Sequence, residues 1–294
     1  MKYIIVTGGA GFIGASLIEY LINKTNKKII SIDNYSTGTK KNHIKNLRIK
    51  YINSHTKNIS KILKGYKNNI DVIFHFAEFS RIAQSFEKIE NCFSSNIYGT
   101  SEVINFCLKN KIKIVYSATS ASLGNNEKDQ HLSPYAFSKS HNMNLIMNLN
   151  QWFDLKYEII YFYNVYGERQ ILSSNMAAVV GVFEHCIKNK KPLPVVSPGI
   201  QSRRFTHVND TVKTCVNAYL KNKNRHYSIS SNKSYRIIDL ARLFSNKIKY
   251  IPERKGERFE SKIIKEIRGR KIYNISSNIS IEKYIKLFKK THKI

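Results

Sequence analysis

Two side chains capable of acid–base chemistry lie one helical turn apart near the middle of the chain. Tyr135 and Lys139 belong to the segment Ser-Pro-Tyr-Ala-Phe-Ser-Lys at residues 133–139, and an i, i+4 spacing puts both on one face of a helix. A phenol, with an ordinary pKa of about 10, acts as a base near neutral pH only where positive charge favours the phenolate. Lys139 supplies such a charge, and Thr119 would offer its hydroxyl to the same substrate oxygen. The spacing is common, so its meaning depends on the rest of the chain.

A glycine-rich turn near the start of the chain gives that context. An apolar run leads into Thr-Gly-Gly-Ala-Gly-Phe-Ile-Gly at residues 7–14, where Gly9, Gly11 and Gly14 fit the dinucleotide fingerprint G-x-G-x-x-G. A pyrophosphate would lie on the N-terminus of the helix that follows. A second apolar run ends in Asp33, about 20 residues further on, where a carboxylate is expected to bind ribose hydroxyls. We therefore expect NAD rather than NADP, with a glycine turn that binds no ligand as the alternative.

The hydrophobic pattern predicts the elements that position these residues. Apolar runs alternate with segments long enough for crossover helices, which favours an α/β fold with a Rossmann-type, doubly wound parallel sheet. The runs are residues 2–6, 28–32, 49–52, 72–76, 112–116 and 157–163, and helices are predicted at 12–24, 91–110 and 135–151. After about residue 165 the pattern loosens. We predict an NAD-binding domain at 1–165 that carries the catalytic residues, and a smaller substrate-binding lobe at 166–294 with segments that could return to the first domain.

The formal net charge of +29 raises the question of nucleic-acid binding. Lysines are scattered along the chain, and local clusters occur only at residues 254–258 and 286–290, without the interleaved aromatics of a single-strand platform. We therefore do not expect nucleic acid as a partner. The charge is expected to attract anionic substrates.

Other sequence features argue against a membrane protein and against a metal site. The apolar stretch at residues 177–183 is too short to span a bilayer, and the N-terminus leads into a strand rather than a signal peptide. We therefore expect a cytoplasmic protein that does not bind membranes. The cysteines form no C-x-x-C pair, and the histidines show no ligand spacing, so neither a disulfide framework nor a metal site is predicted. The cysteines are Cys92, Cys107, Cys186 and Cys215.

Taken together, the motifs resemble those of the extended short-chain dehydrogenase/reductase family. Within it they are most similar to the NAD-dependent nucleotide-sugar epimerase/dehydratase branch, typified by UDP-glucose 4-epimerase. The similarity covers about residues 1–260. Beyond the glycine turn it is carried by residues 33–38, 74–77, 96–100, 163–167, 199–205 and 207–210.

This resemblance implies roles for individual residues. Thr119, Tyr135 and Lys139 would be catalytic, with Lys139 and an oxidised nicotinamide ring together favouring the phenolate. The cofactor would be bound by Gly8, Gly11, Phe12, Ile13, Gly14, Asp33, Asn34, Phe76, Ala77, Asn96, Tyr135, Lys139 and Tyr163. The nucleotide-sugar substrate would be bound by Phe79, Asn164, Arg203 and Arg254. A homodimer formed through helices 91–110 and 135–151 is also implied, although packing within the subunit explains their apolar faces equally well.

The residues after Thr119 bear on which reaction is catalysed. By resemblance, dehydratases carry an Asp-Glu pair at the positions of Ser120 and Ala121, and decarboxylating relatives keep a glutamate there. Without a carboxylate, elimination lacks its general acid and base. We therefore expect 4-epimerisation of a UDP-hexose through a transient 4-keto sugar. The alternatives are an NAD(P)H-dependent keto-sugar reductase and a catalytically silent nucleotide-sugar-binding protein.

Several residues depart from the family pattern. His55 stands where an aspartate usually contacts adenine, so cofactor affinity would differ. Tyr161, Glu168 and Arg204 also replace usual residues, and we expect them to reshape the sugar pocket. Glu78 and Arg81 border the expected pocket, and a solvated loop pair is the alternative interpretation of these two residues.

Overall fold

A computed structural model describes residues 2–292. Its strands are β1 (Tyr3–Thr7), β2 (Lys28–Asp33), β3 (Ile49–Asn53), β4 (Ile70–His75), β5 (Lys113–Thr119), β6 (Tyr157–Phe162), β7 (Val165–Tyr166), β8 (Leu193–Val196), β9 (Ser202–Arg204), β10 (Thr206–His207), β11 (His226–Ser230), β12 (Ser234–Arg236), β13 (Ile248–Ile251), β14 (Glu266–Ile267) and β15 (Arg270–Ser276). Its α-helices are α1 (Phe12–Lys24), α2 (Ile59–Ile62), α3 (Gln84–Glu87), α4 (Ile89–Phe93), α5 (Thr100–Lys109), α6 (Ser120–Glu127), α7 (Pro134–Phe153), α8 (Val179–Lys188), α9 (Val208–Lys221), α10 (Ile237–Phe244) and α11 (Ile281–Thr291).

The main sheet has nine strands within the described residues, in the order β14-β15-β11-β6-β5-β4-β1-β2-β3. All neighbouring strands run parallel except β14 and β15. The first six strands therefore show the doubly wound order 3-2-1-4-5-6, with the reversal at β1 and β4. This arrangement confirms the predicted Rossmann-type α/β fold, and each predicted apolar run contributes one of these six strands.

Both faces of the sheet are buried, as the continuous apolar runs require. Alternate residues of a strand point to opposite faces, so Ile5 packs in one core cluster and its neighbours Ile4 and Val6 pack in another. Helices α5 and α7 cover the first face, and helices α1 and α9 cover the second. The sheet therefore presents its carboxyl edge, with the loops after β1, β4 and β5, as one continuous surface.

The second half of the chain contributes to this sheet and also forms a separate core. Strands β11 and β15 extend the sheet beyond β6. Elements α8, β8, β13, α10 and α11 enclose a third apolar cluster that includes Phe183, Leu193, Leu240 and Phe288. The boundary predicted at residue 165 therefore does not end the sheet, and the division into two domains stays a prediction.

The predicted helix at residues 91–110 is interrupted. A π-helical segment, Ser94–Gly99, separates α4 from α5. Such segments are rare and occur often at functional sites. Asn96 lies within this one, and it faces the protein interior.

Candidate active site

A cleft with a volume of about 680 Å³ opens at the carboxyl edge of the sheet. It runs from the glycine turn, past the ends of β4 and β5, to residues of the second lobe. Most residues proposed from the sequence line it: Gly8, Gly11, Phe12, Ile13, Gly14, Asp33, Asn34, Phe76, Ala77, Phe79, Thr119, Tyr135, Lys139, Asn164, Arg203 and Arg254. The topology thus brings residues far apart in sequence to one site, at the switch point where doubly wound sheets bind ligands.

The glycine turn between β1 and α1 depends on close backbone packing. Gly8 has a φ of +74°, and a Cβ there would lie 2.8 Å from the carbonyl carbon of Phe76. A Cβ on Gly14 would overlap the carbonyl oxygen of Gly8. Gly11, the N-cap of α1, lines the cleft together with the first three residues of the helix, so the N-terminus of α1 lies at the cleft. These features fit the pyrophosphate of a dinucleotide.

Asp33, the last residue of β2, is held in place by the same turn. Its Oδ2 accepts a hydrogen bond from the Ala10 N–H at 2.9 Å, and its Oδ1 accepts one from the Tyr35 N–H at 2.8 Å. Burial raises the pKa of Asp33, and these backbone donors oppose the rise. A carboxylate in this position suits the ribose hydroxyls of NAD.

The three proposed catalytic residues come from the end of β5 and the start of α7. Thr119 ends β5 and caps α6 by accepting a hydrogen bond from the Ala121 N–H at 3.3 Å. Ser133 caps α7 by accepting one from the Ala136 N–H at 3.1 Å, and Pro134 occupies the first turn. This local signal fixes where α7 begins, and with it the positions of Tyr135 and Lys139 on the cleft wall.

Lys139 makes close contacts on the protein side of the cleft. Its ammonium donates to the carbonyl oxygen of Ser117 at 2.5 Å and lies 5.0 Å from the centre of the Tyr116 ring. It also forms a salt bridge with the Glu78 carboxylate. The Glu78 side chain is only 1% exposed, so the interpretation of Glu78 as part of a solvated loop pair is wrong.

Two proposed cofactor residues, Asn96 and Tyr163, lie behind the cleft wall. Asn96 is fully buried, and its side-chain amide binds both backbone polar groups of Phe79, accepting from the N–H at 2.6 Å and donating to the carbonyl at 3.1 Å. The Tyr163 hydroxyl donates to the carbonyl of Lys262 at 2.9 Å. The neighbouring Phe162, the last residue of β6, lines the cleft instead. The structure thus gives Asn96 and Tyr163 supporting positions.

The cleft is lined by several cationic side chains. Arg203 and Arg254 line it, together with Arg81, Lys88, Lys255 and Arg258. Burial lowers the pKa of Arg203, and Glu257 lies 3.7 Å from its guanidinium. Arg81 donates from Nε to the carbonyl of Met176 at 2.6 Å. A cluster of guanidinium groups suits a diphosphate, which accepts paired hydrogen bonds.

The four residues that depart from the family pattern differ in their positions relative to the cleft. His55 lines the cleft, and burial lowers its pKa. Tyr161 lies in the core, where its hydroxyl contacts His226 Nδ1 at 2.8 Å. Glu168 is exposed near His207, and Arg204 donates to the carbonyl of Ser231 at 3.1 Å. Tyr161, Glu168 and Arg204 are not among the residues that line the cleft, and their influence on the sugar pocket stays a prediction.

Two further expectations concern metals and membranes. Among residues 2–292, no group of three or more His, Cys, Asp or Glu side chains is arranged to hold a metal ion. The four cysteines are free and buried. In the same part of the chain, no helix combines the length and apolar character needed to cross a bilayer.

Comparison with known proteins places the chain in a family. The family model described as NAD dependent epimerase/dehydratase matches residues 4–230. A putative UDP-glucose 4-epimerase of Methanocaldococcus jannaschii is 29% identical over 83% of this chain and 82% of its own. A UDP-N-acetyl-alpha-D-glucosaminuronate decarboxylase of Bacillus cytotoxicus is 30% identical over 74% of this chain and 71% of its own.

A solved structure shows the same fold over the whole chain. The UDP-glucose 4-epimerase of Thermotoga maritima, determined with UDP-glucose, superimposes with a TM-score of 0.86 over 99% of both chains at 23% identity. The family match covers most of the chain and includes the glycine turn, Asp33 and the Tyr135–Lys139 pair. The chain therefore belongs to the NAD-dependent epimerase/dehydratase family of nucleotide-sugar enzymes.

Proposed function

We propose that this chain epimerises a nucleotide-diphosphate sugar at C4, with a UDP-hexose as the leading substrate. One observation carries the proposal. Thr119, Tyr135 and Lys139 share the cleft with the dinucleotide cradle, and the helix that follows Thr119 begins with Ser120 and Ala121 and has no acidic residue in its first turn. The site therefore has groups for moving a proton at a sugar hydroxyl, but it lacks a carboxylate beside Thr119 for elimination or decarboxylation.

The chain's own residues account for the proton transfers. When bound, NAD supplies reversible acceptance of a hydride from C4. Tyr135 takes the proton of the 4-hydroxyl while the Thr119 hydroxyl binds the same oxygen, and Lys139 favours the phenolate by its charge. After the 4-keto sugar has turned in the cleft, Tyr135 returns the proton to O4. The overall reaction is an isomerisation, and cofactor is not consumed.

The buried carboxylate of Glu78, which pairs with Lys139, does not replace the missing acid. Glu78 accepts hydrogen bonds from Tyr116, Thr100, Asn142 and Lys139, and its side chain is almost fully enclosed. A general acid or base must reach the proton that it transfers. Glu78 is therefore occupied by protein donors, which argues against the dehydratase and decarboxylase reactions found elsewhere in the family.

The choice of nucleotide rests on the relatives and on the cations of the cleft. The relatives described above act on UDP sugars by their names. Arg203 and Arg254 would hold the diphosphate, with Asn164 beside them. Asn164 is fixed in turn by a hydrogen bond from its amide to the carbonyl of Arg204 at 2.9 Å.

Proton NMR tests the proposal. Purified protein with catalytic NAD is incubated with UDP-glucose, UDP-N-acetylglucosamine or UDP-glucuronate, and the anomeric signals are followed. We expect the galacto epimer of one sugar to appear until equilibrium is reached, without loss of NAD. If the protein instead converts a keto-sugar and consumes one reduced cofactor for each product molecule, it is a reductase.

Tyr135→Phe provides the matched control, because it removes the hydroxyl and keeps the ring. In an epimerase this variant loses turnover by about 10²- to 10⁴-fold while still binding NAD. If none of the three sugars is converted and the variant binds a nucleotide sugar as tightly as wild type, the protein is a silent binder and the proposal is wrong.

A further inference from the structure

Glu78 is the centre of a buried network that sequence reasoning did not identify. It follows β4 at the carboxyl edge of the sheet, and its carboxylate is reached from three other elements. Oε1 accepts hydrogen bonds from the Tyr116 hydroxyl at 3.0 Å, the Asn142 amide at 3.1 Å and the Thr100 hydroxyl at 3.2 Å. Oε2 accepts from the Lys139 ammonium.

A chain of hydrogen bonds links the carboxylate to His75. Thr7 and Thr100 contact the two ring nitrogens of His75, at 2.7 Å for Nδ1 and 2.8 Å for Nε2. Burial lowers the pKa of His75 to about 3, so its ring is neutral and has one donor and one acceptor. If Thr100 donates to Glu78, it accepts from His75 Nε2–H, and His75 Nδ1 accepts from Thr7. The chain of donors is then consistent, and it ends on Glu78 Oε1 as an acceptor.

This carboxylate lies directly against the cation that is expected to activate Tyr135. Lys139 is held on one side by Glu78 and by the Ser117 carbonyl at 2.5 Å, and it lines the cleft on the other. A nearby cation favours a phenolate, whereas a nearby anion disfavours it. Glu78 therefore acts on Tyr135 in two ways, by fixing the position of Lys139 and by offsetting part of its charge.

We propose that Glu78 is a positioning residue that clamps Lys139 and restrains phenolate formation at Tyr135, so that loss of its charge lets the phenolate form at lower pH. The inference depends on the proposed function in one respect: the proposed function identifies Tyr135 as the base. Besides Glu78, the Lys139 ammonium contacts the Ser117 carbonyl and the Tyr116 ring. We expect both contacts to hold Lys139 near Tyr135 when Gln replaces Glu78.

Other titratable groups around the pair do not change charge near neutral pH. His75 from β4 is neutral, and burial raises the pKa of Cys92 from α4 to about 11. Burial also raises the pKa of Tyr116 from β5 well above its ordinary value. Arg81, from the loop after β4, faces Tyr135 as a cation, and burial lowers its pKa. A change caused by Glu78→Gln is therefore assigned to the carboxylate.

The test measures the phenolate directly and does not require turnover. Ultraviolet absorbance is recorded between pH 6 and 10 for protein of known NAD content. The titration curve of Tyr135 is obtained by subtracting the absorbance of Tyr135→Phe from that of the wild type at each pH. The same subtraction is made in the Glu78→Gln background. We expect the midpoint to move to lower pH by about one unit, and an unchanged or higher midpoint overturns the inference.

Tyr116→Phe is the matched control, because it removes one donor to Glu78 and leaves the charge in place. We expect its midpoint to stay within about 0.3 unit of wild type, given that a full neighbouring charge is needed for a shift of a unit or more. A shift as large as that of Glu78→Gln assigns the effect to packing and overturns the inference.

A second pair of variants avoids the buried, unpaired ammonium that Glu78→Gln leaves. Lys139→Met is compared with Lys139→Met/Glu78→Gln, and the midpoint is expected to be lower in the double variant. Equal midpoints contradict the inference.

Kinetics separate this inference from the proposed function. If a sugar is converted, the acidic limb of its kcat/KM profile is expected to move in the same direction in Glu78→Gln. If no sugar is converted but the absorbance midpoint moves, the proposed function fails and the inference stands.

Discussion

The carboxylate of Asp33 and the backbone N–H of Ala10 are joined by a 2.9 Å hydrogen bond, so the end of β2 is fixed to the glycine turn after β1. The bond orients one carboxylate oxygen within the protein. The turn and the carboxylate are thereby held in one arrangement at the switch point of the sheet, where the adenosine half of a dinucleotide is expected to bind.

The first prediction concerns Asp33→Asn, which keeps the shape of the side chain and removes its charge. Hydrogen bonds to charged groups contribute about 1.5–3 kcal/mol, so we expect NAD affinity to fall by about 10- to 100-fold and discrimination against NADP to weaken. Isothermal titration of cofactor-free protein with both cofactors measures this. Asp71→Asn is the control, because Asp71 pairs with Lys27 away from the cleft. The Asp71→Asn protein is expected to bind NAD with the affinity of the wild type. Unchanged NAD binding in Asp33→Asn would exclude Asp33 from the site.

The second prediction separates Tyr163 from the cofactor. Its hydroxyl binds the Lys262 carbonyl behind the cleft wall, so Tyr163→Phe is expected to lower the free energy of unfolding by about 1 kcal/mol and to leave NAD affinity unchanged. Urea denaturation and cofactor titration measure the two quantities. A weaker affinity with unchanged stability would return Tyr163 to the cofactor site, as the family resemblance implied.

Local sequence signals predicted the parts of the site that depend on local structure. The glycine turn, the run that ends in Asp33 and the i, i+4 spacing of Tyr135 and Lys139 each act within a few residues, and α1 has the predicted bounds, Phe12–Lys24. The six apolar runs predicted the strands because five of them are buried on both faces, whereas β3 at the edge of the sheet is only partly buried. Together these signals gave the fold and the groups that line the cleft.

Features that depend on distant contacts could not be predicted in this way. Asn96 turns inward because a π-helical segment replaces regular helix at Ser94–Gly99. The amino-acid composition of this segment gives no sign of the π-helical geometry. Glu78 is buried only because Tyr116, Asn142 and Lys139 approach it from β5 and α7. The position of Glu78, three residues after the end of β4, is visible in the sequence. The residues that bind its carboxylate are brought to it only by the folded structure.

The third prediction concerns the pH dependence of stability. Burial lowers the pKa of His226 to about 3, where its ring contacts the hydroxyls of Tyr157 and Tyr161. The unfolded chain protonates this histidine near pH 6.5, so the unfolded state binds more protons between about pH 6.5 and 3. Stability is present above pH 6.5 and is lost as pH falls, with a slope of about 1.4 kcal/mol per pH unit for one such group.

Urea denaturation at pH 7, 6, 5 and 4 measures this slope. His226→Gln is expected to reduce it by about 1.4 kcal/mol per pH unit, because the titrating ring is gone. His75, whose pKa is lowered in the same way, supplies a similar contribution that remains in the variant. An identical slope in wild type and His226→Gln would show that His226 protonates equally in both states.

The fourth prediction concerns self-association through α7. Phe137 and Trp152 on this helix are 43% and 61% exposed, and exposed large apolar side chains of this kind mark interaction surfaces. We expect the protein to sediment as a homodimer of 34.1 kDa chains, and Phe137→Asp to shift it to the monomer, because an unpaired charge is costly to bury. Leu47→Asp is the control, since Leu47 is fully exposed just before β3 and lies outside the predicted interface. Sedimentation velocity distinguishes the outcomes: a wild-type monomer would contradict the prediction outright, and a Phe137→Asp dimer would place the interface elsewhere.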